Sequence, residues 1–168
     1  MKVQVLASVM NQENMEIVKR MNIKTEAIII NQCNENSYDE TFVNDRKIRM
    51  FSFEERGVGL SRNNALIRAT EDILIFADED ETFVDNYEQI ILKQFEIYKD
   101  ADMILFNVPS KNPDRPIYHI KDNSRVKWYN CLRYGAVKIA VKREIIQKNN
   151  LYFSLLFGGG AKYMRWRR

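Results

Sequence analysis

The chain is predicted to fold as an α/β domain with a mostly parallel central sheet, on three observations. Apolar runs of strand length alternate with stretches carrying helical stripes, an order whose crossovers favour parallel pairing. One run, Ile73-Leu74-Ile75-Phe76-Ala77, is apolar throughout and rich in β-branched and aromatic residues, so it reads as a strand buried on both faces. Four carboxylates, Asp78-Glu79-Asp80-Glu81, follow it without a break. The carboxyl edge of such a sheet is where ligands bind. Acids packed this closely ionise together only with positive charge nearby, which points to a hard cation such as Mg²⁺ or Mn²⁺. A solvated acidic turn is the competing reading of the same residues.

Taken in order, Val3 to Val9 is apolar enough for a first strand, stopping at Met10-Asn11-Gln12. Met15, Val18 and Met21 are three apart, so Glu13 to Asn22 is predicted to be a short amphipathic helix. Thr25 to Ile30 is a second strand, and the polar run Asn31 to Ser37 is expected to be a loop. Lys47 to Phe53 alternates strictly and reads as a half-exposed strand. Gly57 and Gly59 permit a tight turn, and Ser61 is the expected N-cap of a helix reaching about Thr70. After the acids, Val84, Tyr87, Ile91, Phe95 and Tyr98 share one helical stripe. Met103 to Val108 is expected to be another buried strand, and Pro109 to Pro116 a loop. Val126 to Tyr134 reads as a short helix, Ala136 to Val141 as a strand and Arg143 to Asn149 as a helix. Leu151 to Tyr163 is apolar around Gly158-Gly159-Gly160, whose surroundings do not make a Walker-type phosphate loop.

Length and composition suit one domain, assigned to residues 1–163, with an atypical basic tail at 164–168. The formal net charge of +3 is small and gives no ground for a nucleic-acid partner. Cys33 and Cys131 lack metal-ligand spacing and the single histidine, His119, sits in an alternating stretch expected to be a strand, so no zinc site is expected. The start has no apolar signal region, and no segment approaches a membrane span in length. A cytoplasmic protein is expected. Arg165-Trp166-Arg167-Arg168 offers an alternative placement, peripheral at the inner face of the membrane on acidic lipid.

Two further elements now combine. Gly59-Leu60-Ser61-Arg62-Asn63-Asn64-Ala65-Leu66 lies about fifteen residues before Ile73-Leu74-Ile75-Phe76-Ala77-Asp78-Glu79-Asp80-Glu81, behind a strand ending near Asn11 and another ending in a polar loop. This pattern resembles the N-terminal half of a glycosyltransferase family 2 enzyme, over roughly Lys2 to Phe153. The resemblance implies a GT-A fold, Rossmann-like and layered α/β/α, incomplete at its C-terminal side. It implies a nucleotide-sugar pocket lined by Ser8, Asn11, Asn31, Arg62, Asp78 and Glu79, with Asp78 and Asp80 on Mg²⁺ or Mn²⁺. It also implies a UDP-sugar donor, a glycan or lipid-linked acceptor, and inverting transfer.

There are departures from the family pattern. Asn31 and Gln32 stand where an aspartate often accepts a hydrogen bond from the base, and Ser8-Val9-Met10-Asn11 lacks the usual proline. Inverting members take the acceptor's proton with a carboxylate in an acidic pair after a segment like Leu151 to Tyr163, and no Asp or Glu follows Glu144. The catalytic base is therefore unassigned, and donor binding with little transfer is expected of a truncated chain. A non-catalytic module binding a nucleoside diphosphate or a partner is the competing function. A nucleotidyltransferase ranks lower, because Val9 to Asn14 has neither glycine nor a basic residue. Phe153, Leu155, Leu156 and Phe157 are expected to be exposed and to offer a homodimer surface.

Overall fold

The computed structural model describes residues 1–110 and 119–160. Seven strands and four α-helices appear among them: β1 Val3–Met10, α1 Glu16–Arg20, β2 Glu26–Gln32, β3 Ser37–Val43, β4 Arg46–Phe53, α2 Val58–Arg68, β5 Ile73–Asp78, α3 Tyr87–Ile97, β6 Met103–Leu105, β7 Ile139–Lys142 and α4 Arg143–Lys148. They form one sheet in the order β3-β4-β2-β1-β5-β7-β6. The centre, β4-β2-β1-β5, is parallel as expected. Both margins are antiparallel, so the sheet is mixed at its edges.

Strand periodicity sorts the core onto two faces. Val5, Ala7, Ile29 and Ile75 pack with Ile17 and Val18 of α1 and Ile91 and Phe95 of α3. Leu6, Ile28, Leu74 and Phe76 pack on the other face with Ala65 of α2 and Val141. Every residue of β5 from Ile73 to Ala77 is buried, which bears out the two-sided burial read from its composition.

Several local expectations are corrected. The polar run after Ile30 does not begin a loop: Asn31 and Gln32 complete β2 and are buried. Ser37–Val43, not foreseen as a strand, pairs with β4 through a two-residue turn at Asn44-Asp45, both with positive φ (48° and 61°). That turn type matches the twist of the flanking strands. β3 is an edge strand with a mostly exposed, polar sequence, which hides it from a search for apolar runs. Ser61 is not an N-cap; α2 begins three residues earlier, after Gly57 at φ 134°, and buries Ser61 within it. Val84 and Tyr98 fall outside α3 and are exposed.

β6 is a three-residue edge strand with Met103 exposed, not a buried strand running to Val108. The stretch from Val126 holds only a 3-10 turn at Cys131–Arg133, and β7 begins at Ile139 after another such turn. His119 is exposed on irregular backbone, and its neighbours Ile117 and Tyr118 lie outside the described residues. The basic tail lies outside them as well. Among the described residues no helix is long and apolar enough to cross a membrane, and Cys33 and Cys131 are both free.

After α4 the chain returns over the start of α2. Asn63 Nδ2 donates to the Phe153 carbonyl (2.9 Å) and Phe153 N–H donates back to Asn63 Oδ1 (2.7 Å), so one side-chain amide imitates a strand partner. Val58 N–H donates to the Gly159 carbonyl at 3.0 Å. Gly59 is required here because a Cβ would collide with the Ser154 carbonyl oxygen. Gly59→Ala is expected to cost about 1–3 kcal/mol in urea unfolding by overpacking this contact; an unchanged unfolding midpoint would show that the two segments do not touch. Phe153 is half-buried against Phe76, contrary to the expected exposure, whereas Leu155, Leu156 and Phe157 are exposed, as are Leu151 and Tyr152.

Candidate functional site

The carboxyl ends of β1, β2 and β5 meet the first turns of α2 at one edge of the sheet. In the ladder Ser8 lies directly opposite Asp78, and Val9 opposite Asn31. The central parallel strands thus bring residues some seventy positions apart to a single ledge, and the predicted site residues arrive there in distinct roles.

Arg62 and Asp78 form the centre of the ledge. One guanidinium nitrogen, Arg62 Nη2, donates to both Asp78 oxygens at 2.8 and 3.2 Å. The arginine side chain is only 12% exposed and Asp78 40%, so the pair stands at the boundary between interior and solvent. The Phe153 ring lies 5.5 Å from the guanidinium carbon and Phe76 packs against that ring edge-on. Arg62 Nε is buried with no hydrogen-bond partner among the described residues. A buried N–H left in this state is costly unless a ligand oxygen completes it. Ser61 Oγ donates to Ser8 Oγ at 3.0 Å, tying α2 to the end of β1. Both hydroxyls are buried.

The four acids after β5 separate. Asp78 turns to Arg62. Glu79 turns to the loop after β1, where its Oε2 accepts from Met10 N–H (3.0 Å) and Gln12 Nε2 (3.2 Å). Asp80 is exposed. Glu81, not assigned a role from the sequence, folds back so that Oε2 accepts from Asp78 N–H at 3.4 Å. Burial, then the charges of Asp78 and Asp80, push its carboxyl up to about 8. Its signal in the sequence was the unbroken run of acids itself.

Asn31 is 1% exposed and its amide is fully engaged. Oδ1 accepts from Gln12 N–H (3.0 Å), while Nδ2 donates to the Gln12 carbonyl (2.8 Å) and Ser52 Oγ (3.0 Å). Gln32 Oε1 accepts from Gly57 N–H at 2.7 Å, fixing the approach to α2. Asn11 is exposed, in a left-handed conformation at φ 49°, and its N–H donates to the Gln32 carbonyl. Gln12 in its polar run and Ser52 in its alternating strand were missed because nothing in their sequence neighbours marks their spatial partners, and Gln32 was noted only as a departure from the family pattern.

Two surface clefts lie elsewhere, one of about 320 Å³ beside Met1, Asp72 and Arg143, the other of about 450 Å³ between α1 and β3. At the strand-end ledge four carboxylates stand together and Asp80 is exposed beside the Arg62–Asp78 pair. A sequence model of glycosyl transferase family 2 matches residues 3–162.

The chain belongs to glycosyl transferase family 2.

Solved structures agree with this family 2 assignment at the level of fold. S. aureus TarS 1–349 in complex with UDP-GlcNAc superposes with a TM-score of 0.69 at 17% identity, covering 92% of this chain and 49% of that one. The same fragment with UDP gives 0.67 at 19%, covering 92% and 50%. S. aureus TarS gives 0.66 at 20%, covering 92% and 30%. The family 2 chain therefore has the GT-A fold and spans about half the length of TarS 1–349. No curated protein matches it.

Proposed function

We propose that this chain is the donor-binding part of an inverting sugar transferase that holds a UDP-sugar at the strand-end ledge for transfer to a glycan or lipid-linked acceptor. The observation carrying this reading is the Arg62–Asp78 pair at the carboxyl edge of the parallel strands, with Arg62 Nε unpartnered among the described residues and Asp80 exposed beside it. The fold shared with a TarS fragment solved with UDP-GlcNAc supports the same donor class.

The acids suit a divalent cation. No group of three or more metal-ligating side chains occurs among the described residues, but Mg²⁺ is ordinarily held by one or two carboxylates with phosphate oxygens completing the shell. The donors are all hard oxygens, and the charges of Asp78 and Asp80 add to the burial that raises the Glu81 carboxyl. Asp78 and Asp80 would hold Mg²⁺ or Mn²⁺, which supplies a counter-charge for the departing diphosphate. Arg62 contributes a second positive group, held in place by Phe153 and Asp78 before any ligand arrives, so little reorganisation opposes its use. Asn31 and Ser8 support the ledge from beneath. No residue of this chain is assigned as the base that takes the acceptor's proton.

Calorimetry with UDP and GDP, in Mn²⁺ and in EDTA, tests the reading. UDP is expected to bind at least about tenfold more tightly with Mn²⁺, a gain of roughly 1.4 kcal/mol. The absence of UDP binding under either condition would remove the donor assignment.

A further inference from the structure

Resting on the donor reading, we infer that Gln12 is a positioning residue that fixes the acidic loop after β5 against the loop after β1 by way of Glu79. Every polar group of Gln12 is engaged. Its backbone N–H and carbonyl are both gripped by the Asn31 amide, at 3.0 and 2.8 Å. Its side-chain Nε2 donates to the Met10 carbonyl (2.7 Å) and to Glu79 Oε2 (3.2 Å), and its Oε1 accepts from Arg20 Nη2 (3.1 Å). Through Ser52, which accepts from Asn31, the connection runs across the ends of β4, β2, β1 and β5 in succession.

The geometry explains why glutamine stands here. Asn11, at positive φ, reverses the chain so that Gln12 comes back beside Asn31. The position then needs a donor towards Glu79 and an acceptor towards Arg20, and a primary amide supplies both in one group. A glutamate would face Glu79 with like charge, and alanine would supply neither bond. Glu79 is the middle residue between Asp78 and Asp80. Holding its carboxylate back on the β1 loop sets the backbone of its two neighbours, and so the spread of the acids that meet the donor's diphosphate. Gln12 touches no reacting atom in this scheme; it acts through Glu79.

The test is UDP calorimetry with Mn²⁺ on the wild-type chain, Gln12→Ala, Gln12→Glu and the exchange Gln12→Glu with Glu79→Gln, with urea unfolding of each. Gln12→Ala is expected to lose about tenfold in UDP affinity, in the range typical of residues that orient ligating groups, and Gln12→Glu more. Unfolding midpoints should barely move, because Asn31 grips the backbone of residue 12 whatever its side chain. The exchanged pair is expected to recover to within about threefold of wild type, since a Gln at 79 donates to a Glu at 12 and still accepts from Met10 N–H. Single variants that bind like wild type, or an exchange as weak as Gln12→Glu alone, overturn the inference. So does a loss of affinity that merely follows a loss of stability. A wild-type chain that binds no UDP removes the donor reading and this inference together, whereas a wild type that binds beside unaffected variants removes only the inference.

Discussion

Asp78→Asn is expected to weaken Mn²⁺-dependent UDP binding by about a hundredfold or more, roughly 2.8 kcal/mol, while leaving the weaker metal-free binding nearly intact. The asparagine still offers Arg62 a carbonyl oxygen, so the arginine stays in place and the change is confined to one anionic oxygen that a divalent ion would use. Arg62→Met should behave differently. Methionine keeps an apolar stem against Phe153 but removes the guanidinium, so UDP affinity falls by a similar factor with and without metal. The two substitutions thus separate the cation's contribution from the arginine's. Calorimetry at fixed ionic strength decides it, because long-range charge effects are screened equally in each sample. Equal losses from both variants in EDTA would mean that Asp78 serves only as an anchor for Arg62.

The second large effect is on stability. Glu81 has its carboxyl pushed up to about 8 in the folded chain, from an ordinary value of 4.5. Between those values the folded state holds a proton that the unfolded state releases, so raising the pH favours unfolding. The penalty grows from about pH 5 and levels off above about pH 8. Glu81→Gln removes the titration while keeping an oxygen for Asp78 N–H. In EDTA the variant should match the wild type near pH 5 and exceed it by about 1–3 kcal/mol at pH 9, allowing for screening by solvent at this partly open position. A difference in unfolding free energy that stays flat from pH 5 to 9 would disprove the burial argument.

Much of the fold was legible because the central strands are apolar on both faces and their helices carry regular stripes. Ile73 to Ala77 needed no more than its own composition, and Asp78 followed from it by position. Arg62 was legible through the family pattern, and its pairing with Asp78 is what the sheet geometry adds. What escaped notice lacks apolar content. β3 is an exposed edge strand whose Tyr38–Glu40 and Glu40–Lys47 contacts are between side chains on the surface. Asn31 was placed at the pocket by the family pattern, but the amides of Gln32 and Gln12 sit in runs that look like solvated loops, and their roles depend on partners from other strands. Glu81 was visible as a charge and not as a buried one, since burial depends on how the turn after Asp78 folds back. A polar residue's sequence neighbours seldom reveal its spatial ones, and this ledge is built mainly from such residues.

The strand order at the far side has a consequence for how the chain is made. Among the described residues Met103–Leu105 pairs only with Ile139–Lys142, which itself sits between it and Ile73–Asp78. An earlier-synthesised strand must therefore wait at the margin for a later one to slot in beside the centre. During translation all four parallel neighbours are present once residue 78 has emerged, but the sheet cannot be completed until residue 142 has left the ribosome. The last seat to be filled is an inner one.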